Sequence, residues 1–150
     1  MKTFSRFRPT VVRVLLGGIF TAAGAAGLFR MGDPPPLSGS AAAFMGGLIA
    51  AGYFLPLLKL TELAAGLMLL SGRFVPLALT ILAPIVLHIA AFHLTMAPEG
   101  SAMAILLVAL TLVLAWHWRA AFAPLFSTKT TKAPAEVSVG DGQMGAPSRA

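Results

Sequence analysis

Cysteine is absent from this chain of 150 residues. That removes disulfides, thiolate catalysis and iron–sulfur ligation from anything the chain does alone. Charge is scarce as well. Asp, Glu, Lys and Arg make up 11% of the residues, against about 25% in a soluble domain. So few charges cannot clothe a surface in water, while 57% of the residues are hydrophobic. A surface facing lipid resolves the mismatch. Among the charged residues the acidic ones are the fewer, five against eleven basic ones, for a net charge of +6. A positive balance raises the question of nucleic acid, but no basic stripe with interleaved aromatics and no nucleic-acid module occurs. Instead Lys2, Arg6, Arg8 and Arg13 crowd the start, and other basic residues flank apolar runs singly. That is how membrane proteins are oriented. Walker loops, dinucleotide fingerprints, HExxH motifs and nucleophile elbows are also missing.

What is present divides into apolar runs. The first, Val11 to Phe29, is longer than the roughly 7–15 residues of a signal-peptide core, so it reads as a retained helix. It ends at Arg30-Met31-Gly32-Asp33 and a run of prolines, Pro34 to Pro36, which no helix continues. The stretch from Ser40 to Leu70 would measure about 46 Å as one helix, far more than a hydrocarbon core of about 30 Å. It therefore divides near Pro56. Residues Ala41 to Phe54 form a short interfacial or re-entrant helix, and a second span starts with Pro56 near N1 and ends by Ser71-Gly72. A single tilted, kinked helix is the rival. A third span, Phe74 to Met96, carries no Asp, Glu, Lys or Arg, and Pro84 should bend it. A fourth, Ala102 to Trp118, closes on Trp116, His117, Trp118 and Arg119, an aromatic and basic interface anchor. The predicted fold is all-α: a four-helix transmembrane bundle over residues 1–126, with a disordered tail over 127–150. Charge bias places both termini in the cytoplasm and the chain in a bacterial inner membrane.

Candidate functional residues follow from polarity inside the spans. Glu62 is the acidic residue placed within one, where lipid penalises its charge. Lys59 lies three residues away, a neighbour on the same helical face, and Gly66 is one turn beyond. The pair reads either as a structural ion pair or as a ligand or proton site. At about 1.5 Å per residue, Glu62 lies roughly 9 Å and His88 roughly 12 Å below the outer ends of their helices, and Lys59 and His93 each lie roughly 5 Å down. Two polar layers could thus line one outward-facing pocket. His88 is favoured over His93 as the inward group because Pro84 precedes it by one turn, and Tyr53 is placed to roof the pocket. His88 and His93 are about 140° apart around the helix, which is not a bidentate metal motif, so no metal site is assigned. Gly18, Ala22 and Ala26, with Gly17, Thr21 and Ala25 beside them, are small residues at helical spacing and mark a helix-packing face of the first span.

These features resemble the DoxX family of small four-helix membrane proteins. The resemblance covers about Arg6 to Phe126 and is most specific over residues 55–98, where Lys59, Glu62, Gly66, Gly72-Arg73, Pro76 and Pro84-Ile85 match, together with Arg13-Val14-Leu15 and Gly17-Gly18. His88 departs from the pattern, in which asparagine is the expected residue. The resemblance implies association with membrane redox complexes, including thiosulfate–quinone oxidation in some members, so quinone is a possible cofactor and any thiol chemistry belongs to a partner. Three function classes follow: a non-enzymatic assembly or accessory subunit, a quinone- or small-molecule-binding component of a redox complex, and a small transporter or channel. The partners implied are the lipid bilayer and another membrane protein or a second copy of the chain, without nucleic acid.

Overall fold

The computed structural model describes residues 2–29, 31 and 36–126, with side chains described between residues 9 and 124. The predicted tail, 127–150, lies outside the described residues. Four helices are long and apolar enough to cross a membrane. They are α1 (Lys2–Leu28), α3 (Phe54–Ser71), α4 (Val75–Thr95) and α5 (Ser101–His117), the last preceded by a 3-10 turn at Pro98–Gly100 that belongs to its span, with a shorter α2 (Gly39–Ala50) before α3 and a short α6 (Arg119–Phe122) followed by a 3-10 turn at Ala123–Phe126. The all-α, four-span architecture predicted from the apolar runs is the observed one, including the short helix ahead of the second span.

Boundaries moved for identifiable reasons. The short helix runs from Gly39 to Ala50 rather than 41 to 54. It stops because Gly52 takes a left-handed φ of 72°, a conformation that glycine adopts without a Cβ penalty. The rival single helix over 40–70 is thereby excluded. The break falls at Ala51-Gly52-Tyr53, ahead of Pro56, and Pro56 occupies the third position of α3 rather than the first. A proline is tolerated there because the first four N–H groups of a helix have no intrahelical partner.

The four long helices form a ring, in which α1 packs on α3 and α5, and α4 packs on α3 and α5. Each contributes one stripe at helical spacing to the core. The stripes are Leu16 and Phe20 from α1, Ala65 and Leu69 from α3, Val75, Ala78, Leu79, Leu82 and Val86 from α4, and Leu107 and Leu114 from α5. Leu16, Leu69, Leu82 and Leu114 are fully excluded from the surface. The bundle axis is thus filled with interlocking leucines. By contrast Leu57, Leu60, Leu67, Leu87, Ile105, Leu112 and Val113 point outward and are exposed. This apolar-out arrangement suits lipid.

The tightest contact is the α1–α3 seam, where the helices run antiparallel. A Cβ added at Gly66 would sit 2.6 Å from the Thr21 backbone nitrogen and from its Oγ1, and 2.9 Å from the Gly17 carbonyl oxygen. One at Gly24 would lie 2.6 Å from the Leu63 nitrogen. In lipid the hydrophobic effect does not hold helices together, so close backbone approach through small residues supplies much of the attraction. Gly17, Thr21 and Gly24 on α1 face Leu63, Gly66 and Leu69 on α3.

The α3–α4 turn is short: Ser71 ends one helix and Val75 begins the next. Both Gly72 (φ 71°) and Phe74 (φ 57°) are left-handed there. The Gly72 N–H returns to the Leu69 carbonyl at 3.1 Å, a glycine-terminated helix end.

Candidate functional site

The bundle-facing stripe of α3 continues from Leu69 back toward the start of the helix through Gly66 and Ala65 to Glu62, which is 3% exposed. Its carboxylate accepts a hydrogen bond from Lys59 Nζ at 2.7 Å. The lysine side chain is 28% exposed, and its methylenes cross α1 at Gly27, where an added Cβ would collide with them. Lys59 thus lies along the α1–α3 seam and turns its ammonium back to Glu62. Among the described residues this is the one ion pair. Turning Glu62 into the bundle and pairing it avoids the penalty for a lone carboxylate in lipid.

The partner expected from α4 is not there. His88 is exposed and forms neither an ion pair nor a hydrogen bond with Glu62. Its ring packs instead on Phe44 of α2, with centroids 5.7 Å apart, and Phe44 lies at the same distance from Phe92. Helical phase explains the correction. The buried stripe of α4 passes through Leu79 and Val86. Seven residues beyond Val86 it reaches His93, whereas His88 lies about 200° from Val86. His93 is half-buried, and its Nδ1 lies 3.0 Å from the Ala97 carbonyl oxygen. Its own carbonyl accepts from Ser101 Oγ at 3.3 Å, and its ring fills the space beside Gly100. His93 therefore ties the α4–α5 connection together. The two polar layers do not converge on one pocket, and among the described residues no group of three or more His, Asp or Glu comes together.

Tyr53 does not roof a cavity either. It follows the left-handed Gly52 and is 70% exposed. The cavity nearest in sequence has a volume of about 580 Å³ and lies between α1, α2 and the start of α3, lined by Gly27, Leu28, Leu48, Ile49, Leu55 and Pro56 among others. His88 lines a smaller groove of about 220 Å³ between α3 and α4, with Phe54, Leu58, Pro84, Ile85 and Ile89. His88 makes no hydrogen bond with the described residues, so both ring nitrogens remain available to an occupant of that groove.

The small-residue face of α1 splits in two. Gly66 contacts Thr21 and Gly17, on the line Gly17-Thr21-Gly24. The line Gly18-Ala22-Ala26 is turned away from that seam. No described residue lies within 4 Å of a Cβ at Gly18, Ala22 is exposed, and Ala26 is half-buried. Val11 and Leu15, at 41% and 52% exposure, and Phe29, at 73%, continue the same outward line.

Two roles went unrecognised in the sequence. Arg13 does more than reach for the interface: its guanidinium donates to the Leu69 carbonyl at 2.6 Å and the Leu70 carbonyl at 3.2 Å. A cation on the last carbonyls of α3 satisfies groups that lack intrahelical donors and complements the helix dipole. Thr21 Oγ1 is buried with no hydrogen-bond partner among the described residues, pressed against Gly66. The basic residue at the start of an apolar run was the signal for the first; nothing in the sequence marked the second. At the same end of the bundle, Arg119 donates to the Trp116 carbonyl at 3.1 Å and stacks 5.3 Å from its ring centroid. His117 meets Trp118 edge-on at 6.0 Å.

Comparison with known proteins gives no match to a family model, to a curated protein or to a solved structure.

Proposed function

We propose that this chain is a DoxX-like membrane protein that serves as a non-enzymatic accessory or assembly subunit of a membrane complex, docking laterally through α1. The observation that carries this reading is the outward line Gly18-Ala22. A glycine and, one turn later, an exposed alanine form a small-residue stripe that no other described residue covers. Such stripes let another transmembrane helix approach closely. Two further observations support it. The bundle axis is filled by Leu16, Leu69, Leu82 and Leu114, which speaks against conduction through one chain. Glu62, Arg13 and His93 are each engaged within the protein. The partner is another membrane protein or a second copy. The basic end, with Arg13, Arg73 and Arg119, lies in the cytoplasm of a bacterial cell under the positive-inside rule.

The test is Gly18→Leu combined with Ala22→Leu. The open space at Gly18 allows normal folding, so membrane level and melting should stay as in the wild type while the co-purifying partner, or the oligomer, is lost. Retention of the full complex by this variant would refute docking through α1.

One observation favours a second reading, a small-molecule site. The His88 imidazole lacks a hydrogen-bond partner and lines an apolar groove beside Phe54. A ligand with one acceptor and an apolar body, a quinone among them, suits that lining. Lys59 and Glu62 take no part in it. Quinone retained through purification and lost in His88→Phe would establish it; equal retention in both would dismiss it.

A further inference from the structure

The groove between α4 and α5 at the end of the bundle that holds Arg13, Arg73 and Arg119 is independent of either reading. It encloses about 550 Å³ and is lined by Leu79, Ala83, Leu112, Ala115, Trp116 and Phe122, with Thr80, Thr111 and Arg119. Both hydroxyls are already committed. Thr80 Oγ1 donates to the Pro76 carbonyl at 3.0 Å, and Thr111 Oγ1 to the Leu107 carbonyl at 2.7 Å. The groove therefore offers an occupant an apolar wall along its length and a cation at its mouth.

It lies within one leaflet's depth of that end. From Thr111 to His117, where α5 stops, the helix rises about 9 Å, less than half of a hydrocarbon core of about 30 Å, and Arg119 follows beyond the break at Trp118. Arg119 carries five N–H donors. One is bonded to the Trp116 carbonyl, and Cζ lies over the indole, 5.3 Å from its ring centroid; the side chain is otherwise exposed. No carboxylate competes for it among the described residues, because Glu62 and Glu99 belong to the far half of the bundle and Arg13 and Arg73 share its own end. An apolar trough running in from the end of the bundle, with a guanidinium over Trp116 at its mouth, is complementary to an acyl chain joined to a phosphate.

We propose that this groove binds one anionic phospholipid, its acyl chain held between α4 and α5 and its phosphate bound by Arg119. A protein helix fits less well. The rims carry Leu112 at 63% and Trp116 at 72% exposure, bulky side chains that hold a second backbone off, whereas α1 presents the glycine-containing line Gly18-Ala22. A free anion would leave the apolar trough unused.

Native mass spectrometry of the full chain in detergent, titrated with phosphatidylglycerol or with phosphatidylcholine of the same acyl chains, tests this. One phosphatidylglycerol should bind saturably and more tightly than phosphatidylcholine. Arg119→Gln, at an exposed position, should weaken phosphatidylglycerol by about fivefold, the factor for one basic side chain worth about 1 kcal/mol at a lipid surface, and weaken phosphatidylcholine less, because its choline cation offsets the charge of its phosphate. Ala83→Leu should weaken both by filling the trough. Non-saturable binding with no preference, or no effect of Arg119→Gln, would reduce the groove to ordinary annular contact and overturn the proposal. Displacement of phosphatidylglycerol by inorganic phosphate alone would overturn it in favour of a bare anion site. Crosslinking of two Leu112→Cys chains would place a protein helix there instead and equally overturn it.

Discussion

Replacing Gly66 by alanine adds one methyl group at the closest approach between α1 and α3. The new Cβ would sit 2.6 Å from both the backbone nitrogen and Oγ1 of Thr21, and 2.9 Å from the Gly17 carbonyl. Two of those three atoms are α1 backbone and cannot rotate away, so the helices must separate along the seam. Overpacking of this kind costs about 1–3 kcal/mol. Alanine also gains about 1 kcal/mol of helix propensity over glycine, which offsets part of the loss and would blur the result if Gly66→Ala were measured alone. Gly18→Ala supplies the reference. It lies on the same class of helix, gains the same propensity, and meets no described residue within 4 Å. The difference between the two variants isolates the packing. Unfolding of each in mixed micelles, followed by far-UV circular dichroism, should place Gly66→Ala below Gly18→Ala by about 1–3 kcal/mol. Equal stabilities would show that α1 and α3 do not approach through Gly66, and the antiparallel seam would have to be redrawn.

Other expectations concern charge and topology. Lys59→Met strands the buried Glu62 carboxylate and should destabilise by about 3–5 kcal/mol, whereas Glu62→Leu leaves a lysine that is 28% exposed and can snorkel outward. Chemical denaturation should therefore rank Lys59→Met as the worse of the two and the double variant as better than Lys59→Met; the reverse order would contradict the assigned burial. Arg13→Gln removes the cation from the Leu69 and Leu70 carbonyls and should cost about 0.3–2 kcal/mol by the same assay, with an unchanged midpoint counting against the capping role. For topology, Ser5→Cys and Ser148→Cys should resist an impermeant thiol reagent in intact cells and Ser38→Cys should react, a pattern that the absence of native cysteine makes easy to read. The inverse pattern would turn the chain over.

The fold was legible because lipid enforces a simple rule: backbone polarity must be satisfied inside a helix, and what faces outward must be apolar. Long runs with few charges, punctuated by Pro34 to Pro36, Gly72-Arg73 and Pro98-Glu99-Gly100, therefore mark the spans directly. The Lys59–Glu62 pair was legible for the same reason, since a spacing of three fixes neighbours within one helix. Relations between helices were not. Depth estimates place Glu62 and His88 at similar levels but carry no information about rotation, and proximity to Pro84 was a poor substitute for phase. Counting from the buried Leu79 and Val86 gives His93, not His88, as the inward histidine. On α1, Gly17-Gly18 and Thr21-Ala22 offer two adjacent small lines, and nothing local decides which one α3 covers. That choice depends on Gly66 and Leu63 across the seam, and on Arg13 reaching the end of α3.

Docking through the uncovered line of α1 is tested most directly by Ala22→Cys, the sole thiol in an otherwise cysteine-free chain, crosslinked in native membranes with a short bifunctional reagent. The predicted result is one discrete adduct, either with a partner membrane protein or with a second copy, that disappears when Gly18→Leu is added, while a cysteine at Leu67, exposed on α3, gives none. A chain that stays monomeric from Ala22→Cys, or that crosslinks equally from Leu67→Cys, would contradict a docking face on α1.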